Sequence, residues 1–179
     1  MFQKQNNIDL EIVLALLKGE SHLRALSKSL KSPPATIKRA VDRLVADNVL
    51  DARRAGRNRV FSLKRNIEAK EYVLAAEHYK ALKCLKRYPY LAPLMEKLVA
   101  SSKGFLVLFG SHANFTAKAG SDIDVYCEKP LKNASDRISL KTGKFDLNSP
   151  LIKEIVLNHI VFKGVEEFYG RTGFFKESG

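Results

Sequence analysis

Two short stretches of this chain carry residue types that do chemistry: Gly110-Ser111, at the end of the apolar run Phe105–Phe109, and Asp122-Ile123-Asp124 a little further on. An apolar run that ends at Gly-Ser reads as a buried strand leaving through a sharp turn, which glycine enters without a Cβ penalty. The spacing then predicts a short helix over His112–Lys118. Its free backbone N–H groups, around Ser111, face the space above the strand, which is the arrangement that binds an anion such as a phosphate. From Asp122 to Tyr126 polar and apolar residues alternate. A strand there sends Asp122 and Asp124 to one face and Ile123 and Val125 into the core. Two adjacent carboxylates stay ionised when a cation lies between them or water screens them. Hard oxygen ligands beside an incoming polyphosphate favour magnesium.

Taken together, Gly110-Ser111, the gap after it and Asp122-Ile123-Asp124 resemble the signature of the DNA polymerase β-like nucleotidyltransferases, and the chain from about residue 90 to 170 is similar to the minimal nucleotidyltransferases of prokaryotes. Asn148-Ser149-Pro150 and a helical stretch over Leu151–Tyr169 belong to the same likeness. The resemblance implies a nucleotidyltransferase fold with a small mixed sheet flanked by helices. It also implies transfer of a nucleoside monophosphate, AMP from ATP, to a protein or other hydroxyl acceptor. Two Mg2+ ions about 3.5–4 Å apart would clamp the attacking and leaving oxygens. Such a centre calls for a third carboxylate on a neighbouring strand, for which Asp146, between Phe145 and Leu147, is the candidate. Asp136, in the polar loop-like run Lys132–Arg137, and Glu128, at the end of the strand before Lys129-Pro130, are its rivals. By this resemblance Asp122, Asp124 and Asp146 are the catalytic and metal-holding residues, and Gly110 and Ser111 hold the departing phosphates. Relatives carry arginine where this chain has His112 and glycine where it has Asn114. Arginine brings a permanent charge that a neutral imidazole lacks, so Lys118 becomes the candidate for the missing cation. The reading from a different class is a regulator whose nucleotidyltransferase-like domain senses nucleotide without turning it over.

Charge points the other half of the chain elsewhere. The sequence has 31 Lys/Arg against 19 Asp/Glu, with 14 against 6 in residues 1–66 and 10 against 9 in residues 104–179. A basic excess confined to one region suits a polyanion, because each neutralised phosphate releases counterions. Apolar spacing predicts helices over Ile8–Leu17, stopped by Gly19, and over Ser21–Leu30. A third follows Ser32-Pro33-Pro34 from Ala35; it buries Ile37, Val41, Leu44 and Val45 and exposes Thr36, Lys38, Arg39, Asp42 and Arg43. Val49–Arg54 and Arg59–Leu63 read as strands around the turn Ala55-Gly56-Arg57-Asn58. Three helices and a basic hairpin resemble the winged helix-turn-helix of prokaryotic regulators over residues 7–64. That resemblance implies double-stranded DNA as partner. Thr36, Lys38, Arg39 and Arg43 would face the major groove, and Arg53, Arg54, Arg57 and Arg59 would meet the backbone or minor groove.

The expected organisation is therefore a two-domain α/β (α+β) chain: a winged helix-turn-helix over 1–66, a connecting helix within 67–89, and a minimal nucleotidyltransferase over 90–179, entered through a helix at Tyr90–Ser101. The connecting helix Ile67–Arg87 carries an apolar stripe that packs on its own domain or pairs in a homodimer. Relatives of the second domain are often encoded beside HEPN-type toxins, so an antitoxin-like role with such a toxin as protein partner is implied. No run of about 18 apolar residues occurs, which argues against a membrane partner and for a cytoplasmic location. Cys84 and Cys127 lack metal-ligand spacing and read as reduced thiols, and His22, His78, His112 and His159 are scattered.

Overall fold

The computed structural model describes residues 2–131 and 136–175; the loop expected at Lys132–Ser135 lies outside them. The fold is mixed α+β, with eight helices and two small sheets among the described residues. Contacts divide it into a unit over Met1–Ala76 and a unit over Glu77–Phe174. No described helix is long and apolar enough to cross a membrane.

The first unit opens with α1 (Phe2–Leu16), which starts earlier than the expected Ile8, and continues through β1 (Ser21–His22), α2 (Leu23–Ser29) and α3 (Pro34–Ala46). Proline at the start of α3 costs nothing, because its missing N–H has no partner there anyway. Ile37, Ala40, Val41 and Leu44 recur at helical spacing and are fully buried, whereas Val45 is half-buried. Next comes the hairpin of β2 (Leu50–Ala55) and β3 (Asn58–Leu63), where Ala55 faces Asn58, so the connection is two residues and not the expected four. Ser21 and His22, expected to begin a helix, pair instead with Phe61 and Val60, giving the sheet order β1-β3-β2. His22 serves both elements, since its Nδ1 accepts the Ala25 N–H at 3.2 Å and caps α2.

Helix α4 (Ile67–Arg87) forms over the expected span, and the division between the units falls inside it. The second unit follows with α5 (Leu91–Ser101), β4 (Leu106–Phe109), α6 (Gly110–Ala113), β5 (Ile123–Cys127), β6 (Ile138–Thr142), α7 (Pro150–Leu157), β7 (His159–Lys163) and α8 (Val165–Thr172). Its sheet has the order β6-β5-β4-β7; β4 runs antiparallel to both neighbours and β6 runs parallel to β5. On one face Leu106, Leu108, Ile123, Val125 and Ile160 pack with Leu91, Met95 and Leu98. A second cluster is aromatic: Phe105 lies 5.3 Å from Phe145 and 5.8 Å from Phe168 between ring centroids. Cys84 and Cys127 are free and buried.

The single helix expected over Leu151–Tyr169 is in fact helix, strand and helix. The run His159-Ile160-Val161-Phe162 is rich in residues that favour strands, and it fills the sheet edge beside β4. His159 also ends α7, its Nδ1 lying 3.0 Å from the carbonyls of both Ile155 and Val156. Its Nε2 lies 3.3 Å from Glu77 Oε1, which accepts the Tyr169 hydroxyl at 2.8 Å. Burial alone would push the Glu77 carboxyl upward, but the His159 and Tyr169 hydrogen bonds and the Lys80 charge hold it below its ordinary value.

Gly164 closes β7 at φ +70°, and a Cβ there would sit 2.9 Å from the Phe105 Cβ and 3.0 Å from its Cα. Both the left-handed backbone and the rigid neighbour oppose a side chain. Gly164→Ala should therefore lower unfolding free energy by about 2–4 kcal/mol, read from urea denaturation; an unchanged midpoint would mean that β7 and Phe105 do not meet this closely.

Candidate functional site

One edge of the four-stranded sheet collects the residues singled out by their chemistry. Leu108 pairs with Val125, so the exit of β4 and the entry of β5 lie side by side. The chain turns at Gly110, φ +66°, and a Cβ there would stand 2.4 Å from Asp124 Oδ2. Only glycine leaves that space to the carboxylate. Asp122 is exposed just before β5, and Asp124 is half-buried within it. The helix after Ser111 is one turn, not the expected run to Lys118, because Phe115 adopts φ +60° and the chain becomes irregular. The Ser111 carbonyl then receives the Thr116 and Ala117 N–H groups at 2.9 and 3.1 Å. Lys118 is exposed on the loop beyond, where its own N–H is taken by Ser121 Oγ at 2.9 Å.

Asp146 is not with them. It lies past the C-terminal end of β6, whereas Asp122 lies beside its beginning, since Ile123 pairs with Ile138 in parallel. Over the five residues of β6, at about 3.3 Å per step, the two ends are roughly 13 Å apart. The segment around Asp146 is a turn and not a strand, and its Oδ1 accepts the Asn148 N–H at 2.9 Å. Opposite Asp124 on the neighbouring strand stands Ser139. Of the rivals, Glu128 is at the same far edge and pairs with Arg171, and Asp136 is exposed in the turn before β6. Among the described residues no three Asp, Glu, His or Cys side chains are gathered to hold a metal. Two carboxylates are a donor set that one magnesium ion shared with a polyphosphate would accept. They do not fit the two-ion arrangement, because the third carboxylate stands at the opposite edge.

His112 is fully buried. Its Nε2 meets the Tyr90 hydroxyl at 2.8 Å, while Nδ1 makes no hydrogen bond among the described residues. Burial lowers its pKa below the ordinary 6.5 and Arg137 adds to this, against an upward pull from the Asp122 carbonyl and the Asp124 carboxylate. The sequence pattern did not find Tyr90 or Arg137 as neighbours of this edge. Their only signal was that both are polar and flank predicted elements.

The basic face of the first unit divides into anchored and open cations. Arg43 binds the buried Asp9 through Nη2 at 2.7 Å and Nε at 3.3 Å. These bonds raise its already high pKa. Arg43 therefore ties α3 to α1 and is not an open reader of bases, contrary to the expectation from sequence. Arg53 Nη2 donates to both carboxylate oxygens of Glu20, at 2.6 and 2.8 Å. Asp42 holds Lys38 at 2.8 Å and Arg59 at 3.5 Å. Thr36, Arg39, Arg54 and Arg57 are exposed, and the three arginines make no ion pair among the described residues. Between α3 and the hairpin lies a groove of about 280 Å³ lined by Arg24, Lys38, Asp42, Arg57 and Arg59.

Comparison with protein-family models, with curated proteins and with solved structures gives no match to this chain.

Removing Arg43 leaves the Asp9 carboxylate buried without a donor. Arg43→Ala should cost about 1–3 kcal/mol of unfolding free energy, and adding Asp9→Asn should cost little more; additive losses in the double variant would refute the pairing. For His112 the sign follows from its depressed pKa. Below pH 6.5 the unfolded chain takes up a proton that the folded one refuses, so this contribution to stability declines as pH falls. An NMR titration should show its imidazole midpoint below 6.5, and a midpoint at or above that value contradicts the burial argument.

Proposed function

We propose that this chain is a DNA-binding regulator whose first unit is a winged helix-turn-helix and whose second unit is a nucleotidyltransferase-like domain that binds a nucleoside triphosphate, ATP by the resemblance, as a signal. The observation that carries the nucleotide half is the meeting of the Gly110 turn with Asp124, beside Asp122, at one sheet edge, while Asp146 stands at the other. A phosphate chain finds the backbone turn and Ser111 there. Bound magnesium would neutralise charge between the phosphates and the two aspartates. The missing third carboxylate argues for binding over transfer, because activation of an acceptor hydroxyl has no group assigned to it.

The DNA half rests on the residues left open on α3 and the hairpin. Thr36 and Arg39 face outward on the helix, Arg54 and Arg57 on the hairpin, and Lys38 and Arg59 are held together by Asp42 across the groove. Arginine at a helix face reads guanine edges, and arginine on a hairpin meets phosphate. Exposed ion pairs with Asp42 are worth little, so DNA phosphates can displace them.

One observation favours the transferase reading: Asp122 and Asp124 do enter the sheet edge together at the Gly-Ser turn. On that reading the acceptor is a protein such as a HEPN-type toxin, and AMP is the group moved.

Two experiments separate these. In a salt titration of duplex DNA binding, Arg54→Ala with Arg57→Ala should weaken affinity at low salt and reduce the slope of log K against log salt by about 2; an unchanged affinity and slope removes the DNA assignment. With labelled ATP and magnesium, binding should be lost in Asp122→Ala with Asp124→Ala, and no label should pass to protein or DNA. Transfer that disappears in Asp122→Ala would restore the enzyme.

A further inference from the structure

Asp122 and Asp124 repel phosphate unless a cation shares their edge, and Lys118 is out on an exposed loop. Arg137 stands at the same edge, on the β6 side. The Ile123 N–H donates to the Arg137 carbonyl at 3.1 Å, so residue 137 stands beside the entry of β5, next to Asp122. Its side chain makes no ion pair among the described residues. Instead its guanidinium lies over the Tyr90 ring, 5.6 Å from the centroid. Stacking of this kind holds the planar fork in one orientation and leaves its N–H edge open to a planar or tetrahedral anion.

Tyr90 is itself held from below. The ring is 41% exposed, but its hydroxyl is fixed by His112 Nε2 at 2.8 Å. The His112 ring also stands edge-on to Tyr88, with centroids 5.1 Å apart. A fully buried imidazole with one nitrogen lacking a partner is a cost that ordinary core packing avoids. A row of three side chains thus runs from the base of α6 to the rim of the sheet: His112, Tyr90, Arg137.

Building on the nucleotide reading of this edge, we propose that Arg137, carried on the face of Tyr90, is the cation that grips the phosphates of the bound nucleoside triphosphate, with Tyr90 as its positioning residue. It supplies this charge from the turn that precedes β6.

Isothermal titration of the full chain with Mg-ATP and with inorganic triphosphate tests this. Arg137→Ala should weaken both ligands by about tenfold or more and reduce the salt dependence of binding by about one charge, with the thermal midpoint of the unliganded protein unchanged. Arg137→Lys should recover part of the loss, Tyr90→Phe should weaken both ligands a few-fold, and Lys118→Ala should stay within about twofold of the unaltered protein. Normal binding by Arg137→Ala, while the unaltered chain binds ATP, overturns the clamp and leaves the nucleotide reading standing. A loss confined to ATP, with triphosphate unaffected, also overturns it, since the contact would then be to base or sugar. Failure of the unaltered chain to bind either ligand overturns both.

Discussion

Strand direction governs what meets what in the second unit. An antiparallel pair brings the end of one strand to the start of the next, whereas a parallel pair brings start to start. Because β4 and β5 are antiparallel and β5 and β6 parallel, the Gly110-Ser111 turn, Asp122 and Arg137 share one edge. By the same rule the turn that directly follows Thr142, with Phe145 and Asp146, opens at the opposite edge. A carboxylate at 146 cannot rejoin the pair without undoing the aromatic packing of Phe145 against Phe105, Tyr126 and Phe168.

Within that constraint, close approach decides the local chemistry. Asp124 Oδ2 occupies the place a methyl group at 110 would take, and the left-handed backbone there favours glycine. His112 is drawn inside, where it stays neutral and serves Tyr90. A buried imidazole of lowered pKa brings no permanent charge to this edge. The arginine at this edge, Arg137, comes from the turn before β6.

In the first unit the same logic sorts charges that look alike in sequence. Arg43 and Arg39 are four residues apart on one helix, yet the first closes onto a buried aspartate and the second stays open. Cations committed to internal carboxylates add rigidity. Those without partners leave a positive field on the surface, and Asp42 holds two more through weak exposed pairs.

Local pattern in the chain was enough for the helical spacing of α3, the hairpin around Gly56, the buried strand ending at Gly110-Ser111 and the alternation that buries Ile123 and Val125. These follow from period and turn chemistry, which act over a few residues. It misjudged Ser21-His22 and His159–Lys163, where strand pairing with distant partners overrode a helical pattern, and it joined Asp146 to the aspartate pair when only the pairing of β5 with β6 could say where that residue lies. Which arginine is tied down, which histidine is buried and which arginine stacks on Tyr90 follow from tertiary contacts. Each depends on contacts between residues tens of positions apart, and no short-range pattern records them.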